Sequence, residues 1–402
     1  MTKDRDRTSM PMPMPMPMTW PAPAELPENV PWYTHRGSKI LRSGDVGAIV
    51  RYYREFHRLT QTQLSEKICV DRTYVSHWET RSRRLDSIAN RIALADKLGI
   101  PYASLGIADA GQQDHAEMLA SGDSVVRLSR TAREGGRAAD ALRELDQLLR
   151  ALERRACNGK AIRADMVLLA AARAEIGVAL GDLLPEAHLK TAAQWTGSGV
   201  NVLASLEGEP NLSAHSLRMH GNELRKAGDL HCAVRELRRA VEISPDLGGR
   251  ATASLLLARA ASEQGNTVMF DQCIKQCRQA IEQDPSIFNF FINPFSLREV
   301  ELRGFLLTDR IKGAERVASR VVVAGEASPT WRVIERVTMT QFYLAVGEMK
   351  AAESELRAAI FGAQELGLPH QVERAVRLAE NAHLDDLVRM GKAAIEEMSD
   401  PL

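Results

Sequence analysis

Apolar side chains recur every three or four residues through most of the chain, which is the spacing of one buried helix face. Val46, Ile49, Val50 and Tyr53 show this pattern first, and amphipathic segments follow one another almost to the end of the chain. Runs that alternate between apolar and polar residues, as half-buried strands do, are very few. The pattern therefore predicts an all-α protein.

The first helices are short and carry recognisable end signals. Thr60 followed three residues later by Gln63 is a capping pattern, and Asp71 stands where a second helix cap is expected. The spacing predicts one helix after Thr60 and a second over 72–79. A further helix should follow, with Ile88 on its inner face.

Three stretches of this region resemble the XRE-type (lambda-repressor-like) helix-turn-helix family: 59–65 (LTQTQLS), 70–79 (VDRTYVSHWE) and 94–99 (LADKLG). The resemblance implies a compact bundle of four or five helices whose recognition helix lies in the major groove of DNA. We place this N-terminal DNA-binding domain at residues 36–107. The chain has Arg81 where family members commonly have a glycine after the recognition helix.

Helices recur in pairs over residues 114–397, with Gly-Asp and similar steps between them. The clearest pair has small and large apolar residues at fixed positions: Leu217, Gly221 and Leu224, then Ala233 and Leu237. This pattern resembles the tetratricopeptide (TPR) repeat; a second and a third copy begin near Leu257 and Met339, and weaker copies lie near Leu145, Gly181 and Ala314. The resemblance implies a TPR-like α-solenoid in which Gly221 lets paired helices approach, with a concave groove lined by the first helix of each pair.

The N-terminal segment, residues 1–35, is rich in methionine and proline, which alternate from Met10 to Met18. Proline lacks an amide donor and disfavours helix in the residue before it. We therefore expect this segment to be disordered or polyproline-like. Its aromatic residues, Trp20, Trp32 and Tyr33, could dock it onto the folded body, the alternative being that it stays undocked.

The overall charge is balanced, with 52 Lys+Arg and 52 Asp+Glu, but the balance is not uniform along the chain. Residues 36–100 contain 13 Lys+Arg and 7 Asp+Glu, a net charge of +6. A basic surplus confined to one short segment is typical of a nucleic-acid-binding module joined to a body with another task.

The helix over 72–79 should bury Val75 and Trp78 and turn its other side outward. Arg72 is the best candidate to read a base, because its guanidinium can contact two acceptors of guanine. Family resemblance places Gln61 against a phosphate, and Tyr74 can either stack on the DNA backbone or cover the edge of the bundle. The expected DNA-binding residues are Gln61, Arg72, Thr73, Tyr74, Ser76, His77, Arg81, Arg83 and Arg84.

A second candidate site lies on the first helices of the repeats. Arg218 and Asn222 are four residues apart and resemble the cation and asparagine with which some TPR domains hold a peptide carboxylate. Arg225 lies further along the same helix, and Arg259 and Arg303 fall at equivalent positions of later repeats. We expect these five residues to line an effector groove, the alternative being ordinary surface charge.

The remaining chemistry is sparse. The five cysteines are scattered, and Cys273 and Cys277, four residues apart, match packing positions of the repeat better than metal ligands. We find no phosphate-binding loop, dinucleotide fingerprint or nucleophile elbow, no secretory signal, and no apolar run that could span a bilayer. We therefore expect no catalytic activity, cofactor, metal or membrane contact, and a cytoplasmic location.

Together these features favour a sequence-specific DNA-binding transcriptional regulator. The resemblance implies a homodimer with recognition helices about 34 Å apart on an imperfectly palindromic double-stranded operator, and a TPR body that senses a peptide or protein effector. The alternative is a TPR scaffold that recruits a partner protein, with the DNA-binding head serving only to localise it.

Overall fold

The structure, a computed structural model, describes residues 20–28, 30–82, 84–108, 112–321 and 327–399. These residues form helices joined by turns and loops, without a strand among them. The all-α prediction is confirmed, as is the order of an N-terminal helix-turn-helix bundle followed by a repeat-like helical body.

The N-terminal bundle, here called the head, contains five α-helices: α1 (His35–Ser43), α2 (Val46–Phe56), α3 (Gln61–Ile68), α4 (Arg72–Glu79) and α5 (Ile88–Leu98). The expected capping box forms at the start of α3, where the Gln63 amide donates to Thr60 Oγ1 and the Thr60 amide donates to Gln63 Oε1. The Asp71 carboxylate caps α4 by accepting from the Thr73 amide at 2.8 Å. Both helix starts are therefore fixed by local hydrogen bonds, as the sequence predicted.

The core of the head buries Val75 and Trp78 of α4 against Ile49 and Leu64 of the preceding helices. The prediction that Ile88 lies on the inner face of its helix is wrong, because this side chain is 65% exposed. Ile88 is the first residue of α5, and only the later turns of that helix, from Leu94 onward, are buried in the bundle.

The part of residues 1–35 next to the head is ordered against the protein, as the docking alternative for its aromatic residues had it, rather than disordered or polyproline-like. Residues Pro31–Tyr33 form a 3-10 turn whose two aromatic side chains point into different cores. Trp32 lies in the core of the head, where its Nε1 donates to the Leu98 carbonyl at 2.9 Å. Tyr33 lies in a core of the body, and Arg163 Nη1 donates to its carbonyl at 3.0 Å. This turn therefore joins head and body; the Met-Pro repeat lies outside the described residues.

The chain before this turn runs along the body and is held by side chains of the body. Trp195 Nε1 donates to the Pro21 carbonyl at 2.9 Å, and Arg173 Nη2 donates to the Ala24 carbonyl at 2.7 Å. Trp20 packs against the same apolar cluster. These contacts satisfy carbonyls of a segment without regular secondary structure, which explains how it is held without helix or sheet.

The body consists of helix pairs: α6 (Gln112–Glu134) and α7 (Ala138–Cys157), α8 (Arg163–Leu183) and α9 (Leu189–Ala204), α10 (Pro210–Lys226) and α11 (Leu230–Ile243), α12 (Leu247–Glu263) and α13 (Thr267–Gln283), α14 (Pro294–Leu307) and α15 (Ile311–Ala318), α16 (Pro329–Ala345) and α17 (Met349–Glu365), and α18 (Pro369–Asn381) and α19 (Asp385–Ser399). From α8 to α18, the first helix of each pair packs on its own partner and on the first helix of the next pair. A solenoid stacks its repeats in this way.

Close packing within a pair depends on small residues, as expected for the pair α10 and α11. A Cβ atom added at Gly221 would lie 2.5 Å from Leu237 Cγ, so even an alanine would force the two helices apart. The helices α8 and α12 are buried on nearly all sides, because each is surrounded by its partner and by both neighbouring pairs.

The stack of pairs closes on itself. Helix α18 lies against α8 and the short turn Glu186–His188 that follows it. Arg377 donates to both carboxylate oxygens of Glu186 at 2.6 and 2.7 Å, and the Glu186 amide donates to Glu373 at 2.8 Å. Helix α18 therefore lies across from α8 at the expected concave groove and narrows it. The curvature of the stack causes this, since it brings the last pair back to an early one.

None of the helices in the described ranges is both long enough and apolar enough to cross a lipid bilayer.

The position of Trp32 leads to a first prediction. Replacing Trp32 by alanine should lower the free energy of unfolding of the head by about 3 to 5 kcal/mol, because it leaves a large cavity in the core. The measurement is hydrogen exchange of the head amides in the full chain. Ile88→Ala, at an exposed site of the same bundle, should change protection by less than about 0.5 kcal/mol. Equal protection in the two variants would contradict the assignment of Trp32 to the core of the head.

Candidate nucleic-acid interface

Helix α4 presents one polar face to the surface of the head. Arg72, Thr73 and His77 are exposed on this face and Ser76 is half-buried, while Val75 and Trp78 anchor the opposite side. Arg72 stands at the first position of the helix, beyond the Asp71 cap. The sequence-predicted surface of α4 is therefore assembled in the folded head.

Two side chains of this surface are held in place by neighbours. Thr73 Oγ1 donates to Asp71 Oδ1 at 2.6 Å, and His77 Nδ1 shares a hydrogen bond of 2.8 Å with Ser82 Oγ. These bonds reduce the rotamer freedom of Thr73 and His77 before any ligand binds, which lowers the entropy lost on binding.

Tyr74 occupies an intermediate position. Its ring centroid lies 6.1 Å from that of Trp78, and the residue is 38% exposed. The ring therefore contacts the core residue Trp78 and is also accessible to solvent. Both uses considered for Tyr74 from the sequence remain open.

The arginines after α4 differ from one another. Arg81 adopts a left-handed backbone with φ of 59°, at the position where a glycine is common, and its guanidinium pairs with Asp45. Such a conformation costs a non-glycine residue on the order of 1 kcal/mol. Arg84 is exposed, whereas Arg83 lies outside the described residues.

Gln61 is engaged inside the head rather than facing away from it. Its Nε2 donates to Glu79 Oε2 at 3.0 Å, and Glu79 also accepts from Arg54 Nε at 2.6 Å and from Arg54 Nη2 at 3.1 Å. Sequence reasoning missed this buried group. The available signal was position, because Glu79 lies four residues after Val75 and therefore on the same buried face of α4.

The environment of Glu79 favours its charged form. Burial alone would raise the pKa of this carboxyl, but the hydrogen bonds from Arg54 and Gln61 and the charges of Arg54 and Arg51 lower it below its ordinary value. Arg54, Gln61 and Glu79 thus tie the helices α2, α3 and α4 together behind the polar face of α4.

The structure separates the five residues expected to line an effector groove. Arg225, Arg259 and Arg303 line one cavity inside the body. Arg218 instead points to Ser244 Oγ at 3.3 Å and the Gly249 carbonyl at 3.4 Å. Asn222 is buried and engaged with neighbours on its own helix, Glu223 and Arg225, so it does not form a clamp with Arg218.

Cys273 and Cys277 are buried in an apolar cluster of the body, and Cys277 Sγ lies 3.5 Å from the Ala251 carbonyl. Burial raises the pKa of the Cys273 thiol to about 11, so the reactive thiolate is disfavoured. Within the described ranges, no three His, Cys, Asp or Glu side chains are grouped as metal ligands would be.

Residues 50–105 match the family model HTH_3, described as helix-turn-helix. This range includes α3 and α4, the exposed face of α4 and the pair formed by Arg54 and Glu79. The chain thus carries an XRE-type helix-turn-helix domain, which belongs to a family of DNA-binding regulatory domains. No TPR family model matches the body, although its helix pairs are consistent with the repeat expectation. A search of curated proteins finds no match to the chain.

The buried pair gives a second prediction. Replacing Glu79 by glutamine should destabilise the head by about 2 kcal/mol at neutral pH, because Arg54 loses its charged partner. The wild-type contribution is present above the ordinary carboxyl pKa of 4.5 and is lost as the pH falls through the lower pKa of the folded state. Between neutral pH and about pH 3, the free energy of unfolding of the variant should therefore fall less than that of the wild type.

Hydrogen exchange of head amides as a function of pH measures both effects in the full chain. Glu66→Gln, an exposed carboxylate on α3, is the matched control and should behave as the wild type. A Glu79→Gln profile parallel to the wild-type profile would show that Glu79 is not the group responsible.

Proposed function

We propose that this protein is a sequence-specific transcriptional regulator in which α4 reads the major groove of an operator. The observation that carries the proposal is the exposed guanidinium of Arg72 at the N-terminal end of α4, within a domain of the DNA-binding helix-turn-helix family. A guanidinium at the groove-facing end of a recognition helix can contact guanine O6 and N7 together. Thr73, Ser76 and His77 provide further polar groups on the same face.

In this proposal, the arginines beyond α4 bind the phosphate backbone and set the register of the head. Arg84 is exposed and ready for such a contact, and Arg81 would exchange its bond to Asp45 for a phosphate. Gln61, at the N-terminal end of α3, would have to exchange its bond to Glu79 for a phosphate contact, with the help of the helix dipole. These contacts position the domain without specifying a sequence.

The body, in the same proposal, is a TPR-like solenoid that dimerises the cytoplasmic protein and responds to an effector. The stacked helix pairs support the solenoid assignment, and the arginines collected inside the closed stack support a sensing role. A homodimer would present two heads to an imperfectly palindromic operator. A peptide or protein effector remains our expectation from the resemblance.

Base reading by Arg72 is tested by Arg72→Ala. The variant should lose about 5- to 150-fold of the preference for its operator over a scrambled duplex, because one bidentate base contact is removed. Genome-wide mapping of bound DNA identifies the operator, and competition binding at fixed salt measures the preference.

Two further variants distinguish a loss of base discrimination from a general loss of DNA affinity. Arg84→Ala should weaken binding to every duplex alike and reduce the salt slope by about 1, because it removes a phosphate contact. Arg357→Ala, an exposed arginine on α17, should change neither quantity. A uniform loss across all sequences for Arg72→Ala would reject base reading by this residue.

Dimerisation has its own test. Light scattering of the purified protein should give twice the 44.4 kDa mass of one chain. Footprinting should show two protected half-sites centred about 34 Å apart, one turn of DNA, because the symmetry of the operator follows that of the dimer. A monomeric mass together with a single protected half-site would exclude the dimeric arrangement.

A further inference from the structure

A cavity of about 220 Å³, partly open to solvent, lies on the inner face of the body. Arg225 of α10, Arg259 of α12, Arg303 of α14 and His370 of α18 all contribute to its lining. The cavity thus lies where the first helices of successive pairs converge. It is smaller than the roughly 300 to 1,000 Å³ of pockets for drug-sized ligands.

Three donor groups of this lining are buried without a hydrogen-bond partner: Arg259 Nε, Arg303 Nη1 and His370 Nδ1. Each of the three residues is only 5% or 6% exposed. The side-chain Nε2 of Gln371 donates to His370 Nε2 at 2.6 Å, so in the neutral His370 ring the proton is on Nδ1. Buried donors are usually paired in folded proteins, and these three belong to residues around one cavity, so a single acceptor placed there could satisfy all of them.

The carboxylates of the cavity are already paired with other cations: Asp182 with Lys226 at 3.2 Å, Glu263 with Arg225 at 2.7 Å and Glu186 with Arg377 at 2.6 Å. Glu299 lies behind Arg303, 3.9 Å from its Nε, and accepts a hydrogen bond from the Thr338 hydroxyl at 2.8 Å. Within the described residues, Arg259 forms no ion pair; its guanidinium lies over the Trp331 ring at 5.3 Å. Among the residues that line the cavity, five cations therefore stand against three carboxylates; Glu223 and Glu299 pair with two of these cations from outside the lining.

The titration behaviour of the lining agrees with this excess. Burial lowers the pKa of Arg259 to about 9, helped by the charges of Arg225 and Arg303, yet the guanidinium remains charged at neutral pH. Burial and the surrounding cations, Lys226 and Arg225 first among them, hold the pKa of His370 well below its ordinary value. A buried charge without a partner is costly, and a bound anion would remove that cost.

We propose that this cavity binds a small oxyanion, a phosphate or carboxylate group that accepts hydrogen bonds from Arg259, Arg303 and His370. A water molecule could accept some of these bonds but cannot compensate the charge, whereas an oxyanion does both. The inference deepens the sensing role proposed above and depends on it for its regulatory meaning.

The location suggests what binding does to the body. His370 and its neighbours on α18 lie on one side of the cavity, while Arg259 and Arg303 lie on α12 and α14. A bound oxyanion would therefore join α18 to the middle of the stack and stabilise the closure of α18 on α8. A ligand that binds only the closed form shifts the population toward that form.

The test is thermal unfolding of the full chain titrated with inorganic phosphate and, separately, with succinate, at an ionic strength matched with sodium chloride. Phosphate also stabilises proteins in general by exclusion from their surface, so the informative signal is a saturating rise in Tm. Arg259→Met should fold, because replacing an unpaired buried charge by an apolar side chain is often neutral or stabilising. Its apparent affinity for the active anion should fall at least tenfold.

His370→Met, which removes another proposed donor without leaving a charge unpaired, repeats the test should Arg259→Met not fold. Arg218→Met is the matched control, because Arg218 lies on α10 but bonds outside the cavity. A saturating response to phosphate, to succinate or to both supports the proposal and identifies the oxyanion. Absence of saturation with both anions, or a saturating response that the cavity variants retain, overturns it. Operator selection by the same samples tests the DNA-binding role separately. If the samples still select the operator but show no anion response, only the anion site is rejected.

Discussion

The contact between α18 and α8 determines the character of the body. Without it, the stacked helix pairs would leave an open concave surface, and the arginines along that surface would be hydrated. With it, the first helices of the pairs surround a cavity that is only partly open, and several of their polar side chains become buried groups that need partners. The exposed pair formed by Arg377 and Glu186 contributes little stability by itself. Apolar packing within the stack supplies the rest, because each helix pair buries its faces against its neighbours.

The junction between head and body rests on two adjacent aromatic residues. Trp32 belongs to the core of the head and Tyr33 to a core of the body, and they are neighbours in one short 3-10 turn. A rotation of the head against the body would require one of these side chains to leave its core, which costs several kcal/mol. The connection at Pro31–Tyr33 is therefore anchored in both cores and is not a free linker. This property suits a protein whose body is proposed to control how its head meets DNA.

Buried charge serves different purposes in the two parts of the chain. In the head, Arg54 and Gln61 satisfy Glu79, and the network fixes three helices behind the face of α4. In the body, Arg259 and Arg303 retain donors that no protein group accepts. A satisfied network specifies one arrangement of helices, whereas an unsatisfied one is a cost that folding alone does not explain. The contrast is the reason to regard the cavity as a binding site rather than as part of the core.

The sequence by itself determined whatever depends on near neighbours in the chain. Thr60, Gln63 and Asp71 determined where the helices start, and the spacing of Val75 and Trp78 determined the outward face of α4. Gly221 indicated a close contact between two helices. Each of these signals acts within a few residues or within one helix pair. Only the tertiary structure decided the place of the chain before α1, the partner of Gln61 and the separation of Arg218 from Arg259. Those outcomes depend on contacts between residues far apart in sequence, and on a small curvature added from pair to pair until the stack closes. No local sequence pattern predicts this accumulated curvature.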